Sequence, residues 1–410
     1  MRNAKTQQPE FDYTLLVLVT VLLGFGLVML FSASYETAYV KLGDPLYYFT
    51  RQLIWTLLGL AAMLVLINID YRLWRELAIP ILGITMLGLI AVLFVGEERF
   101  GARRQILGGS IQPSEIAKLS IVIYIGAWLA SKGKDLRKVS YGLIPFAVLL
   151  GLLVGLIVIQ PDISTAALVT VTAGAMFFVA GADVVQIGIL GLMGGLTFAG
   201  IITQQSHARE RVIDYLQTLP NPLSSPDFQV REGILALVEG GFFGTGLANS
   251  VHKRPGGLPA VHSDSIFAVV GEELGLIGTL SILALFLYFA YRGVRIALRA
   301  PDAFGSLVAF GITTWLVLQA LFNIAVITAT FPYTGLPLPF FTYGGSAMLA
   351  NLAAVGILLN ISRGGQGITL DALTRLWRRN RRPRVSHSQR RRGATRILGN
   401  TFARHSNTRR

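Results

Sequence analysis

Residues 13–33 read YTLLVLVTVLLGFGLVMLFSA, a run without a single charged side chain. A bilayer core about 30 Å thick takes about 20 apolar residues per helix, so this run predicts a membrane span. No small-residue cleavage site follows it, and it outlasts the apolar core of a signal peptide, so it is expected to stay as a permanent span. Runs of the same kind recur at 51–69, 76–96, 113–131, 142–160, 163–181, 185–203, 265–291, 304–328 and 345–362. With 53% hydrophobic and only 14% charged residues, the chain predicts an all-α integral membrane protein. The expected architecture is a polytopic bundle of about ten transmembrane helices over 13–362, with a large loop at 204–264 between the seventh and eighth spans.

The net charge of +14 suggests nucleic acid until its distribution is read. Residues 363–410 hold 14 arginines, no lysine and one acid, a net +13, which leaves +1 for the preceding 362 residues. Such a segment, low in apolar residues, predicts a disordered basic tail attracted to anionic lipid. Arginines alone do not make an RNA site, and no nucleic-acid partner is expected. Ten spans put residues 1–12 and the tail on one side. That side also collects Arg72, Arg75, Lys132, Lys134, Arg137, Lys138, Arg292, Arg295 and Arg299. The opposite short loops hold fewer cations, so both termini are expected in the cytoplasm and 204–264 outside it. There is no cysteine, which excludes disulfides and thiol chemistry and leaves the redox compartment unreadable.

Polar residues inside such a chain need a reason. In VHSDSIFAVVGEELG (261–275), Asp264 stands where the large loop re-enters the membrane, and Glu272 and Glu273 follow inside the eighth span. Adjacent helical residues lie about 100° apart, so these two glutamates cannot share one groove. They are expected to be structural polar groups, one of them pairing or hydrogen-bonding inside the bundle, and neither the base. In IQPSEIAKLS (111–120), Pro113 suits a first helical turn, Glu115 meets the positive helix end, and Lys118 shares its face. An interhelical ion pair and a functional role both remain open for Glu115 and Lys118. Asp162 in QPDIST (160–165) reads first as an N-cap, with a functional role kept open. GARRQI (101–106) sets Arg103 and Arg104 on the outer surface, where headgroup contact is the plain alternative.

The large loop is rich in glycine, yet it has no phosphate-loop or complete dinucleotide fingerprint. The five histidines show no ligand spacing, so a zinc site is not expected, and there is no nucleophile elbow. What remains on that face is carboxylates, arginines, lysines and a hard divalent cation held by oxygen ligands.

Taken together, FSAS (31–34), GARRQI with QPSEIAK (101–118), QPDIST (160–165), RERV (209–212), GGFFGTGLANS with Lys253, the Asp264 segment, and PYTGLPLPFFTYGGS (332–346) resemble the shape, elongation, division and sporulation family, which includes FtsW, RodA and SpoVE. The resemblance runs over roughly residues 13–363, and RERV leans toward the FtsW and SpoVE branch. It implies a bacterial cytoplasmic-membrane enzyme that polymerises lipid II into glycan strands of peptidoglycan on the outer face. It also implies a class B penicillin-binding protein and other divisome or elongasome proteins as partners. Asp264 matches the family's essential aspartate, expected as the catalytic base. The cations expected to meet the pyrophosphate are Arg103, Arg104, Lys118, Arg209, Arg211 and Lys253, with Glu115 and Asp162 as further substrate-site candidates. A divalent cation, Mg²⁺ or Mn²⁺, is implied at Asp264 or Asp162, and no organic cofactor.

The chain also departs from the family's pattern. Ala260 and Ser265 stand where an acid and an aromatic are common, and Glu232 stands where glutamine is usual. Two rival functions are a lipid II transporter, for which a site near the midplane would be expected, and a non-catalytic scaffold for a penicillin-binding protein.

Overall fold

A computed structural model describes residues 10–99, 102–105, 112–254 and 256–367. The segment 1–9 and the basic tail from 368 onward, including its expected disorder, lie outside the described residues, as do the side chains of Arg103 and Arg104.

The chain runs through α1 (Tyr13–Leu42), α2 (Tyr47–Ile67), the short α3 (Arg72–Glu76) and α4 (Ala78–Val95), then a hairpin of β1 (Glu97–Arg99) and β2 (Ala102–Gln105). It continues through α5 (Pro113–Lys132), α6 (Ile144–Ile159), α7 (Ile163–Val179) and α8 (Val184–Gln204). Two helices that the sequence did not announce, α9 (Ser206–Thr218) and α10 (Phe228–Gly240), occupy the large loop. The chain then closes with α11 (Ile266–Arg299), α12 (Ala303–Ile327) and α13 (Gly345–Ser362). Among the described residues nine helices are long and apolar enough to cross a membrane, and α7, at 17 residues, supplies the tenth expected span.

Capping fixes several ends. Asp12 accepts the Leu15 amide at 2.8 Å to start α1, and Gly43 ends it in a left-handed conformation. Asp183 and Gln186 form a reciprocal capping box on α8. Apolar surface gains little by leaving lipid, so small residues and polar contacts hold such bundles together. Accordingly α13 lies along α2, where a Cβ on Gly356 would meet the Met63 carbonyl oxygen at 2.8 Å. α5, α12 and α13 are the most buried spans, whereas α8 lies almost wholly against the surroundings.

The eighth span is longer than the sequence window and is broken. Gly275 sits at φ 66°, ψ −161° inside α11. The freed backbone groups are taken up by the segment after α10. Thr245 and Gly246 amides donate to the Glu272 and Glu273 carbonyls at 2.9 and 3.0 Å, and the Leu276 amide donates to Gly241 at 2.8 Å. Irregular backbone at this depth is tolerated only when such partners exist. A Cβ at Gly275 would meet the Gly244 nitrogen at 2.5 Å, so only glycine fits.

Candidate active site

Asp264 lies just before the start of α11, half-buried. Its Oδ1 accepts from the Ser263 hydroxyl at 2.8 Å, and its Oδ2 accepts from the Tyr333 hydroxyl. The Asn323 amide of α12 donates to the Asp264 and Leu336 carbonyls, both at 2.8 Å, and so ties the aspartate backbone to the 328–344 loop. Two more bonds stitch that loop down: Thr342 Oγ1 donates to the Ser263 carbonyl at 3.1 Å and the Tyr343 amide to that of His262 at 2.8 Å. Burial, and then the adjacent Asp264 charge, hold the Tyr333 phenol well above its ordinary range, so it stays a proton donor to the carboxylate.

Around this carboxylate the environment divides. On one side the exposed Arg211 of α9 places its guanidinium carbon 5.0 Å from the Tyr333 ring centre. On the other, His262 stacks on Tyr48 at 4.2 Å and meets Tyr343 edge-on. Burial pulls the His262 imidazole down to about 4, against the opposite pull of Asp264, so it is neutral near pH 7.

Glu115 and Lys118 form one closed unit. Lys118 Nζ lies 2.9 and 2.8 Å from the two Glu115 oxygens and donates to Gln319 Oε1 at 2.8 Å, with the Trp315 indole nitrogen donating to the same oxygen. Gln319 in turn donates to the Pro337 carbonyl at 2.8 Å, which links the pair to the loop that carries Tyr333. Asp162 caps α7 by accepting the Thr165 amide at 3.2 Å, and its other oxygen accepts from Ser114 and Gln112 at 3.3 and 3.4 Å. Ser164, two residues on, donates to the Thr334 carbonyl. Thus α5, α7 and α12 all anchor the 328–344 loop beneath Asp264.

Glu272 and Glu273 are fully buried, and both are engaged, where the sequence predicted one. Glu273 Oε1 lies 2.8 Å from Lys253 Nζ, and both its oxygens accept from Ser32 of α1, at 2.7 and 2.6 Å. Glu272 faces elsewhere and accepts from the Ser250 hydroxyl and, at 2.6 Å, the Val251 amide. The roughly 100° between neighbours on a helix sends the two carboxylates to different segments.

Among the described cation candidates, Arg209 and Arg211 are exposed on α9, whereas Lys118 and Lys253 are buried against Glu115 and Glu273. β2 carries Arg103 and Arg104. The structure adds one grouping that histidine spacing could not show. Spacing gave no ligand set, yet His252 meets Glu239 and Glu272, with one donor atom from each within 4.8 Å of the others. Asp162 and Asp264 are not in that group. Sequence reasoning also passed over Tyr333, Gln319 and Ser32. Tyr333 was visible only as part of PYTGLPLPFFTYGGS, and nothing in its neighbours tied it to an aspartate 69 positions earlier.

A family model described as a cell cycle protein and spanning FtsW, RodA and SpoVE matches residues 13–366. The stage V sporulation protein E of Bacillus subtilis (strain 168) is 38% identical over 362 residues, covering 87% of this chain and 98% of the relative. A probable peptidoglycan glycosyltransferase FtsW of Geobacter metallireducens is 40% identical over 358 residues, covering 86% and 95%. Among solved structures, a chain of a peptidoglycan synthase complex that coordinates polymerisation and crosslinking superposes with a TM-score of 0.69 at 28% identity, covering 87% of this chain and 98% of its own. The rod shape determining protein RodA of Thermus thermophilus superposes at 0.64 with 27% identity, with the same coverage.

Proposed function

This chain belongs to the FtsW, RodA and SpoVE family, and we propose that it polymerises lipid II into glycan strands at the Asp264 end of the bundle. It is a membrane-embedded peptidoglycan glycosyltransferase. The Asp264 end faces outward and both termini face the cytoplasm, a placement supported by the Lys and Arg excess at the opposite end. Residues 13–362 are the catalytic unit, and 363–410 form a membrane-attracted tail. A class B penicillin-binding protein is the expected crosslinking partner, as the polymerising and crosslinking complex among the structural neighbours suggests.

The observation that carries this reading is a half-buried carboxylate set by Ser263 and Tyr333 beneath an exposed Arg211. Asp264 acts as general base. It takes the proton of the acceptor sugar's 4-hydroxyl as that oxygen forms its bond to the donor's anomeric carbon. The anomeric bond to the polyprenyl pyrophosphate breaks in the same step, and the leaving anion departs toward Arg209 and Arg211. Lys118 and Lys253, paired with buried glutamates, act by holding the frame, and so does Asp162 through its cap. Mg²⁺ or Mn²⁺ fits this chemistry, since such an ion is usually held by one or two carboxylates together with substrate phosphates. Asp264 is half-buried and can be reached by an ion arriving with substrate, whereas Asp162 is buried beneath its cap. When bound, the ion would neutralise charge on the departing pyrophosphate.

The test is purified protein in detergent, given lipid II with and without a class B penicillin-binding protein, with glycan chains resolved by gel. Polymer from the wild type and none from Asp264→Asn is the expected result. A transporter makes no glycan from lipid II in detergent, so absence of polymer from the wild type, with and without the partner, would overturn the reading.

A further inference from the structure

We propose that Glu239, His252 and Glu272 bind one divalent transition-metal cation, of the Zn²⁺ or Mn²⁺ kind, with Glu232 bracing the far nitrogen of the imidazole. His252 is 11% exposed at its side chain, and its Nδ1 is buried without a hydrogen-bond partner. That nitrogen points between Glu272 Oε1 at 3.3 Å and Glu239 Oε2 at 3.6 Å. Ligands about 2.0–2.1 Å from a tetrahedral ion lie roughly 3.4 Å from one another, so these separations suit a shared ion.

The opposite ring nitrogen, Nε2, lies 3.7 Å from Glu232 Oε2, beyond hydrogen-bond length but near enough for a small side-chain shift to close. A metal-bound histidine commonly offers its second N–H to a carboxylate, which fixes the tautomer that leaves the other nitrogen free to ligate. Glu232, the position where the sequence departs from the family's usual glutamine, thereby gains a role. One imidazole with carboxylates favours a first-row transition ion over Mg²⁺ or Ca²⁺, which prefer all-oxygen sets.

The three ligands come from the end of α10, the following loop and α11 just before its break. Glu239 is half exposed and opens the site to solvent, whereas Glu272 is fully buried and already anchored by Ser250 and Val251. The bound ion staples the loop to the broken helix. Among the described residues none of these four side chains is bonded to Asp264, so this site is separate from any ion that arrives with the substrate's phosphates.

The experiment is equilibrium dialysis of the EDTA-stripped, full-length protein in detergent against Zn²⁺, followed by metal analysis and a melting curve. About one Zn²⁺ per chain and a raised melting temperature are expected, with Mg²⁺ at the same concentration giving neither. Glu239→Gln, a change at an exposed position that leaves the core intact, and His252→Ala should each weaken binding at least about 100-fold. Glu232→Gln should weaken it about 10- to 100-fold. Asp264→Asn should leave binding unchanged. The proposal is overturned by well under one Zn²⁺ per chain in the wild type, by undiminished binding in Glu239→Gln, or by loss of binding in Asp264→Asn.

Discussion

Asp264 and Glu273 stand nine positions apart on one stretch of chain and live in opposite circumstances. Asp264 is half-buried, faces two neutral hydroxyls, and has the exposed Arg211 above the tyrosine that binds it. Glu273 is fully buried and closed by a lysine and a serine. A buried pair of that kind makes a weak case for chemistry, because its charge is already spent on its partner. An aspartate whose partners are hydroxyl donors keeps a basic oxygen for an incoming proton. Position at a membrane mouth drew attention to both acids; the partner's chemistry separates them.

The strongest challenge to that separation is Asp264→Asn. It preserves shape and removes the proton acceptor, so glycan formation should fall about a hundredfold to ten-thousandfold while the melting curve stays near wild type. A variant that polymerises at wild-type rate would erase the distinction. Next, Glu273→Gln leaves Lys253 buried without its countercharge and should cost about 3–5 kcal/mol of stability. Pairing it with Lys253→Met should recover most of that loss, as a thermal melt would register. If Glu273→Gln instead melts normally but is inactive, Glu273 belongs with Asp264.

A third measurement uses pH. The folded His262 titrates near 4 against 6.5 in the unfolded chain. Its contribution is therefore complete above 6.5 and is lost as pH falls toward 4. At pH 5 the chain is 1.5 units below 6.5, so about 2 kcal/mol is lost relative to pH 7. His262→Gln should show a correspondingly shallower acid sensitivity in its melting midpoint. The smallest effect is expected from Tyr333→Phe. Loss of one hydrogen bond to a charged group is worth about 1.5–3 kcal/mol, of which only the part that differs between ground and transition state slows the reaction. Turnover should fall roughly tenfold and the pH dependence of kcat should shift, whereas a purely structural tyrosine would change neither.

The spans were legible because membrane thickness imposes a length that composition alone reveals, and most observed helix ends fall within a few residues of their windows. Two misjudgements concern helix that hydropathy does not mark. The window at 13–33 stopped short because α1 continues to Leu42 through YETAYVKL, whose polar residues lie beyond the core that hydropathy measures. Helices α9 and α10 went unseen because their apolar faces are short, and because the proline-rich 220–226 segment between them and the glycine-rich run after α10 read as loop. The break at Gly275 is a tertiary event: a glycine in an apolar helix is ordinary until another backbone arrives to bond the freed groups. For the candidate site, Asp264 was singled out by its place and by resemblance. Its dependence on Tyr333, and the burial of Lys253, arise from contacts that no local pattern encodes.

The break in α11 also sets an order of manufacture. Residues 241–246 leave the ribosome before the carbonyls of Glu272 and Glu273 exist, so their amides have no lasting partner at first. Lys253 precedes its glutamate by 20 positions, and Ser32 precedes it by 241. α1 must therefore wait in the bilayer, its serine unclaimed, through the synthesis of six further helices that can span it, α2 and α4 through α8. The last of these contacts form only when the eighth span enters beside the first. A translation pause or an insertion fault near residue 275 would leave the loop with a charged lysine and no countercharge to bury it against. Yield of membrane-inserted protein should therefore depend on this kink.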